Sequence, residues 1–251
     1  MSDALHTYVQ IAVVVLMLIV GLDCTLGDLR RQLGRWGLVT TITLGQFTLV
    51  PLTVVAATWM LGAEGALVAS LLLLCCCPSA PISNTYTFLA RGHTALSVSL
   101  TAASCLVATL GTPLALAVFG RLLEGRGGLI QLPLGPLLKH LVLMMALPIL
   151  VGLFARHRFP AWVERNLGRL RALSFLLVIG VIVLTALSVP GARLLAEVRR
   201  LVVPALLITA LLLPLGYAAA RLFRLERGDR IAVLFEFPCQ NLAVVALVGV
   251  S

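Results

Sequence analysis

Two polar segments interrupt the apolar stretches of this chain, and their side chains could bind a small cation. The first contains Ser83 and Asn84, and the second contains Glu236, Gln240 and Asn241. Carboxylate, amide and hydroxyl oxygens are hard ligands, which suit hard cations better than soft metals. One carboxylate among neutral oxygens suits a monovalent ion, because a divalent ion normally recruits more carboxylates. The pattern predicts a sodium site, and a proton carried by Glu236 is the alternative.

Prolines break the helix in both polar segments. Pro78 and Pro81 lack amide donors and clash with the preceding turn, and Pro238 does the same in the second segment. Each segment should therefore form two half-helices around an unwound centre. Irregular backbone at membrane depth is tolerated only where it is buried in protein or lines a cavity. The restarted half-helices near Asn84 and Asn241 would direct positive dipole ends at an anionic substrate.

The composition indicates that these segments fold in a lipid bilayer. Apolar residues make up 60% of the 251 residues and charged residues 12%, with a mean hydropathy of +1.07. A soluble domain carries about 25% charged residues, and a soluble fold of this size could not bury so much apolar surface. We expect an all-α, polytopic membrane protein. The predicted spans lie at about 5–22, 37–61, 66–91 (broken), 94–119, 137–154, 173–189, 201–222 and 231–251 (broken).

Paired breaks in two halves of a membrane protein indicate a transporter built from inverted repeats. A proline-bearing span precedes each broken span. Gln46 lies five residues before Pro51, and Thr209 lies five residues before Pro214. The predicted units are a first repeat, a connecting loop and a second repeat, at residues 1–119, 120–136 and 137–251.

The spacing around one turn predicts which side chains meet. The chain should turn near Gly92, with Ser83 nine residues before it and Thr101 nine residues after it. These positions lie at equal depth in an antiparallel hairpin. Ser97 shares a helix face with Thr101, because they are four residues apart. The hydroxyls can therefore converge with Asn84, and the carboxylate of the second segment is the anion that would join them.

The basic residues predict an orientation in the membrane. If the N-terminus lies outside, most of the 19 basic residues fall in inside connections, as the distribution of Lys and Arg in membrane proteins requires. The largest groups lie at 30–35, 156–171 and 221–230. The same preference accounts for the net charge of +9, so we expect contact with membrane lipid and no binding to nucleic acid.

The two polar segments resemble the bile acid:sodium symporter family. The similarity rests on Gln46 ahead of Pro51, on Glu236 with Gln240 and Asn241, and on residues 77–101, which read CPSAPISNTYTFLARGHTALSVSLT. The resemblance implies a core domain that moves against a panel domain, and two sodium sites where the broken helices cross. The first site would comprise Ser83, Asn84, Ser97, Thr101 and Glu236. The second would comprise Gln46, Glu236, Gln240 and the carbonyls of Phe237 and Cys239.

The resemblance also places the substrate and shows where this chain departs from the family. Asn241 matches a position beside the organic anion, and Pro81 stands where a small polar residue often faces substrate. Ser79 and Ala80 replace two common glycines, and Pro238 replaces another. Proline cannot take a positive φ, so this last change affects the backbone ligands of the second site most. Eight spans are counted where the family has nine or ten. We therefore expect the first panel helix and the last core helix to be absent, and the chain ending at Ser251 to be truncated.

These observations predict sodium-coupled symport of an organic anion, either bile-acid-like or a small carboxylate, by alternating access. The expected location is the plasma membrane, here a bacterial inner membrane. The alternatives are a proton-coupled permease, a non-transporting fragment, or a permease for arsenite or another soft oxyanion, which the run Cys75-Cys76-Cys77 suggests. An enzyme is not expected, because no base converges with a nucleophile and only one acidic residue lies at membrane depth.

Overall fold

The helices of this chain follow from its long apolar stretches. A computed structural model describes residues 3–27, 30, 34–63, 65–123, 134–242 and 244–245, and this described part is helical without strands. The helices are α1 (Asp3–Asp23), α2 (Trp36–Met60), α3 (Ala66–Cys75), α4 (Ile82–Leu89), α5 (Thr94–Leu122), α6 (Leu134–Leu141), α7 (Leu147–Arg158), α8 (Pro160–Leu187), α9 (Gly191–Leu222) and α10 (Arg227–Glu236). A π-helical turn, Val142–Ala146, joins α6 to α7.

Six helical stretches of the described part are long and apolar enough to cross a bilayer. Their outward faces carry large exposed apolar side chains, such as Leu187 and Leu222, as a surface in contact with lipid does. The prediction of an all-α polytopic membrane protein is confirmed. The six stretches are Leu5–Asp23, Trp36–Met60, Thr94–Leu122, Gly135–Arg158, Pro160–Leu187 and Leu201–Leu222.

Two helices begin earlier than their apolar segments. α8 starts at Pro160 instead of near residue 173, and α9 starts at Gly191 instead of near residue 201. Backbone hydrogen bonds continue the helix through arginine-containing turns that a hydropathy pattern leaves out. Most of the predicted loop, residues 124–133, lies outside the described residues, as do residue 243 and residues 246–251 of the last predicted segment.

The unwound backbone of each broken segment forms hydrogen bonds with the backbone of the other. In the first, helix ends at Cys75 and resumes at Ile82; in the second, α10 ends at Glu236 and helical backbone resumes at Leu242. Since lipid supplies no hydrogen bonds, unwound backbone at this depth needs partners within the protein.

Those partners are the residues of the opposite break. The amide of Ala80 donates to the carbonyl of Cys239 at 2.8 Å, and the amide of Asn241 donates to the carbonyl of Pro78 at 3.0 Å. Ser79 and Gln240 thereby form an isolated antiparallel bridge. The broken helices are thus fixed to each other where they cross.

The described helices pack around two large apolar cores and a small third cluster of Val20, Cys24, Val98 and Ala102. One lies among α1, α5, α6 and α7 and includes Leu16, Leu116 and Ile149. The other lies among α2, α3, α5, α9 and α10 and includes Val50 and Leu212. Helix α5 contributes to both cores, so it connects the α1–α7 pair to the helices that hold the breaks.

Helices α1 and α7 approach each other closely because glycine occupies both sides of their contact. A Cβ at Gly21 would collide with the carbonyl of Ile149, and one at Gly152 would collide with the carbonyl of Leu18. Backbone therefore packs directly on backbone, a contact that small residues allow between membrane helices.

The parallel between the proline-bearing spans extends to the prolines but not to the polar residues before them. Pro51 lies inside α2 and Pro214 inside α9. Gln46 is buried, whereas Thr209 is exposed and donates to the carbonyl of Ala205 in its own helix. The first proline-bearing span thus supplies a buried amide that the second one lacks.

Candidate functional site

A buried carboxylate lies at the end of α10 and receives hydroxyls from two other helices. The Ser83 hydroxyl on α4 donates to Oε2 of Glu236 at 3.2 Å, and the Thr101 hydroxyl on α5 donates to Oε1 at 3.1 Å. The two hydroxyls are 3.2 Å apart. All three residues are almost fully buried. The structure therefore places these three predicted site residues together.

Asn84 and Ser97 extend this cluster away from the carboxylate. The Ser97 hydroxyl donates to Oδ1 of Asn84 at 2.8 Å, and the Thr101 hydroxyl lies 3.2 Å from the same oxygen. All five side chains predicted for the first site are thus connected. We call Ser83, Asn84, Ser97, Thr101 and Glu236 the oxygen cluster.

The oxygen cluster contains more acceptors than protons. The Thr101 hydroxyl has one proton but faces both Asn84 and Glu236. The Ser83 hydroxyl also has one, and it faces Glu236, Thr101 and the carbonyl of Ala80. Each hydroxyl can satisfy one acceptor at a time. A cation among these oxygens would be held by the lone pairs that remain.

Glu236 has no positively charged side chain beside it in the described part of the chain. The ion pairs found there hold three other acids, Asp23, Glu164 and Asp229. An ionised carboxylate that is buried without a counter-charge is strongly disfavoured. The cluster thus needs either a bound cation or a proton on Glu236.

The α4–α5 hairpin that brings these side chains together begins slightly before Asn84, where the sequence predicts it. Helix α4 starts at Ile82 with Pro81 as its N-cap residue, so Asn84 lies in the first turn and is not the cap. Pro81 itself is half-buried. A tight turn with Arg91 at φ 57° follows α4, and α5 then returns beside it.

Thr87 joins the cluster without having been assigned a role from the sequence. Its buried hydroxyl donates to the Ser97 hydroxyl at 3.3 Å. It lies one helical turn after Ser83, and this i, i+4 spacing was the available signal. Thr87 orients Ser97 and through it Asn84.

The residues predicted for the second site contact the backbone of Glu236 and of the break that follows it. Nε2 of Gln46 lies 3.5 Å from the carbonyl of Glu236, and Nε2 of Gln240 donates to the carbonyl of Phe237 at 2.7 Å. The side-chain oxygens of Gln46 and Gln240 are buried without a hydrogen-bond partner in the described structure. The carbonyl of Cys239 already accepts the amide of Ala80.

Asn241 lies at the start of the resumed helix after the second break. Its side-chain oxygen accepts the amide of Val244 at 3.3 Å, as the side chain of an N-cap residue does. Its buried side-chain nitrogen has no partner among the described residues. This donor is therefore free to bind an anionic group, while the oxygen holds the helix end.

A triad of Arg35, His93 and Asp229 connects the elements that supply the site, and no sequence pattern predicts it. Asp229 lies 2.6 Å from Nη2 of Arg35 and 2.7 Å from Nδ1 of His93. Arg35 precedes α2, and His93 lies in the turn between α4 and α5. The triad thus joins α2, the hairpin and α10, which carry Gln46, the hydroxyls and Glu236.

Asp229 lies in the first turn of α10, before the apolar stretch that begins at Ile231. Burial raises the pKa of Asp229. The hydrogen bonds and charges of Arg35 and His93 lower this pKa by more than burial raises it. The net result is a pKa below its ordinary value. The carboxylate is therefore charged at neutral pH and holds both partners.

The cysteine run packs as apolar filler. Cys76 and Cys77 lie in one core with Cys105, and Cys75 lies in the other. Among the described residues, no group of three or more His, Cys, Asp or Glu is arranged to hold a metal ion. No observation in this region favours a soft-ion site.

Comparison with known proteins identifies relatives of this chain. The sequence profile of the sodium bile acid symporter family matches residues 10–196. An uncharacterized sodium-dependent transporter of Bacillus subtilis is 26% identical, over 98% of this chain and 75% of its own length. A probable chloroplastic sodium/metabolite cotransporter of Oryza sativa is 30% identical, over 91% of this chain and 53% of its own. Sodium/bile acid cotransporter 4 of Rattus norvegicus is 27% identical, over 96% and 55%.

The matched family and these relatives are transporters and not enzymes. The chain spans three quarters of the Bacillus protein but only about half the length of the plant and rat proteins. The similarity therefore covers nearly all of this chain and only part of most relatives.

Proposed function

Because this chain belongs to the sodium bile acid symporter family, we propose that it carries an organic anion across a membrane together with sodium, by alternating access. The observation that supports this most is the oxygen cluster. It holds a carboxylate and several neutral oxygens, fully buried, with no positively charged side chain beside the carboxylate in the described structure.

The first proposed sodium ion binds within the oxygen cluster. Sodium accepts neutral hydroxyl and amide oxygens, and a single carboxylate balances its charge. On binding, the ion would bring together lone pairs of α4, α5 and α10 that otherwise compete for the same protons. Ion binding would therefore tighten the contact between the hairpin and the second broken helix.

The second proposed ion binds on the other side of Glu236. The unpartnered side-chain oxygens of Gln46 and Gln240 are its proposed ligands, with the carbonyls of Phe237 and Cys239. Each of these carbonyls accepts one hydrogen bond already, and a carbonyl oxygen has a second lone pair for a cation.

The organic anion would bind beside the crossing of the broken helices. The unpartnered side-chain nitrogen of Asn241 offers a donor, and the positive end of the helix that resumes there favours a negative group. We infer a carboxylate or similar anionic group at this position. Pro81 would contact the rest of the substrate.

The movement would occur between two groups of helices, a panel of α1, α6, α7 and α8 and a core of α2–α5, α9 and α10. The panel packs around the glycine contact of α1 and α7, and the core holds both breaks.

We assign residues 1–119 and 137–251 to inverted repeats and place the N-terminus outside a plasma membrane. The membrane, the orientation and the repeats rest on the charge distribution and on the paired proline-bearing and broken spans.

Thermal unfolding of the purified protein in NaCl and in KCl at equal ionic strength tests this proposal. A ligand that binds only the folded state stabilises it by RT ln(1 + [L]/Kd), about 2.7 kcal/mol at a hundredfold excess over Kd. We expect higher stability in NaCl and no such difference in Glu236→Gln. The control is Glu226→Gln, which changes an exposed acid outside the site. Equal stability of the wild type in both salts would exclude sodium, and a stabilisation that follows pH instead would indicate proton coupling.

A further inference from the structure

Ser79 places a buried hydroxyl at the crossing of the broken helices. Its side chain is completely buried, and its oxygen has no hydrogen-bond partner in the described structure. Buried polar atoms nearly always have a partner, so an exception of this kind needs an explanation.

The neighbours of Ser79 are the proposed ligands of the second ion. Ser79 faces Gln240 in the antiparallel bridge between the two breaks. Side chains of directly opposed residues lie on the same side, with Cβ atoms about 4.5–5.5 Å apart. The Ser79 hydroxyl also lies beside the Glu236 carboxylate, although it does not meet hydrogen-bond geometry.

Three buried side-chain oxygens without partners therefore occur near Glu236 and the break that follows it. They belong to Ser79, Gln46 and Gln240, which come from the first break, α2 and the second break. Gln46 also approaches the backbone of Glu236. Unpartnered acceptors from three separate elements in one region indicate a ligand that supplies positive charge.

The backbone in this region is less available than the side chains. The carbonyl of Cys239 accepts the amide of Ala80, and the carbonyl of Phe237 accepts the side chain of Gln240. Pro238 between them cannot take a positive φ, which restricts how these carbonyls can turn. A side-chain oxygen from the opposite break would add to the coordination by these carbonyls, each of which already accepts one hydrogen bond.

We propose that the Ser79 hydroxyl is a direct ligand of the second sodium ion, together with Gln46, Gln240 and Glu236. This inference rests on the proposed sodium-coupled function. A hydroxyl is small and neutral and has two lone pairs, so it can coordinate sodium without adding charge.

Sodium titrations of thermal unfolding test this role. Ser79→Ala removes the hydroxyl, and Ser79→Cys keeps a similar volume but replaces the oxygen by sulfur, a poor ligand for sodium. We expect both variants to need at least fivefold more sodium for half of the stabilisation and to lose cooperativity between the ions. The matched control is Thr112→Val, which removes another fully buried hydroxyl without a described partner.

The measurement in KCl separates a ligand from a structural residue. Without sodium, Ser79→Ala should unfold at the temperature of the wild type or above it, because the variant buries one fewer unpartnered oxygen. A structural hydroxyl would lower the unfolding temperature equally in both salts. Sodium titrations of Ser79→Ala and Ser79→Cys that match the wild type would overturn the role of Ser79 alone. A wild type without sodium-specific stabilisation would overturn the proposed function itself and this role with it.

Discussion

The Ser83 hydroxyl lies 3.2 Å from the carboxylate of Glu236, although 153 residues separate the two in the chain. The contact joins a hydroxyl in the first turn after one break to a carboxylate in the last turn before the other. Neither break could hold a buried charge alone, since the second supplies the carboxylate, and the first supplies a hydroxyl together with those of α5. Any ion that binds there must hold the two broken helices together.

Thr101 should contribute strongly to ion binding because it faces both Asn84 and Glu236. Thr101→Val keeps the shape and removes the hydroxyl, and a hydrogen bond to a charged group contributes about 1.5–3 kcal/mol. We expect sodium affinity to fall at least tenfold in a sodium titration of thermal unfolding. Thr109→Val, about 12 Å further along the same helix, is the control and should bind sodium like the wild type. Equal losses in both variants would show that Thr101 acts only through packing.

Asn84 should determine the charge of the preferred cation. Asn84→Asp adds a second carboxylate to the oxygen cluster at nearly constant shape, and divalent ions recruit more carboxylates than monovalent ions. We expect lower stability than the wild type in KCl, because like charges then adjoin, and stronger stabilisation by calcium than by sodium. Unfolding temperatures in the three chloride salts measure this. Asn166→Asp on α8 is the control, and the same calcium response there would contradict the prediction.

The triad of Arg35, His93 and Asp229 should stabilise the assembled site. Asp229→Asn removes the negative charge that holds both partners, and because Arg35 and His93 are exposed, each contact contributes about 0.2–1 kcal/mol. We expect a lower free energy of unfolding at neutral pH in chemical denaturation, and weaker sodium binding, because three site elements lose a common contact. A variant as stable as the wild type would show that the triad is only a surface feature.

The effect of Asp229 on stability should depend on pH with a definite sign. Its pKa in the folded protein lies below the ordinary value, so its contribution is complete above the unfolded pKa of about 3.9. That contribution is lost as the pH falls through the folded pKa. The difference between the wild type and Asp229→Asn should therefore shrink below about pH 4. A difference that stays constant from neutral pH to acid would exclude the carboxylate charge as its cause.

The glycine contact between α1 and α7 should tolerate no side chain. Gly152→Ala places a methyl group against the carbonyl of Leu18, and overpacking of this kind costs about 1–3 kcal/mol. We expect a lower unfolding temperature in both salts with an unchanged sodium increment, because the contact lies outside the site. Gly168→Ala on α8 has open space around it and should stabilise slightly, since alanine is the better helix former. A changed sodium increment in Gly152→Ala would indicate that the panel senses the ion.

The sequence predicted the fold class and the hairpin contact for physical reasons that can be stated. Apolar length determines which helices can span a bilayer, and equal distances from Gly92 place Ser83 and Thr101 at one depth. Both arguments need only local geometry. The prolines likewise indicated the two breaks without any knowledge of the neighbouring helices.

Other features depend on tertiary contacts that a local pattern does not contain. The Asp229 triad joins residues from three elements, and the bridge between Ser79 and Gln240 joins two unwound segments. The early starts of α8 and α9 lie in polar turns, where hydropathy gives no signal. Thr209 and Gln46 each lie five residues before a proline, but the side chain of Thr209 is exposed. Spacing from a proline does not determine which face of a helix is buried.

Equilibrium binding of radioactive sodium to the purified protein tests the central claim most directly. Glu236→Gln keeps the shape of the side chain and removes its charge, and Glu226→Gln serves as the control. The proposed site predicts saturable binding to the wild type and to Glu226→Gln that unlabelled sodium displaces and potassium does not, and it predicts loss of that binding in Glu236→Gln. Saturable, sodium-selective binding to Glu236→Gln with the affinity of the wild type would contradict it.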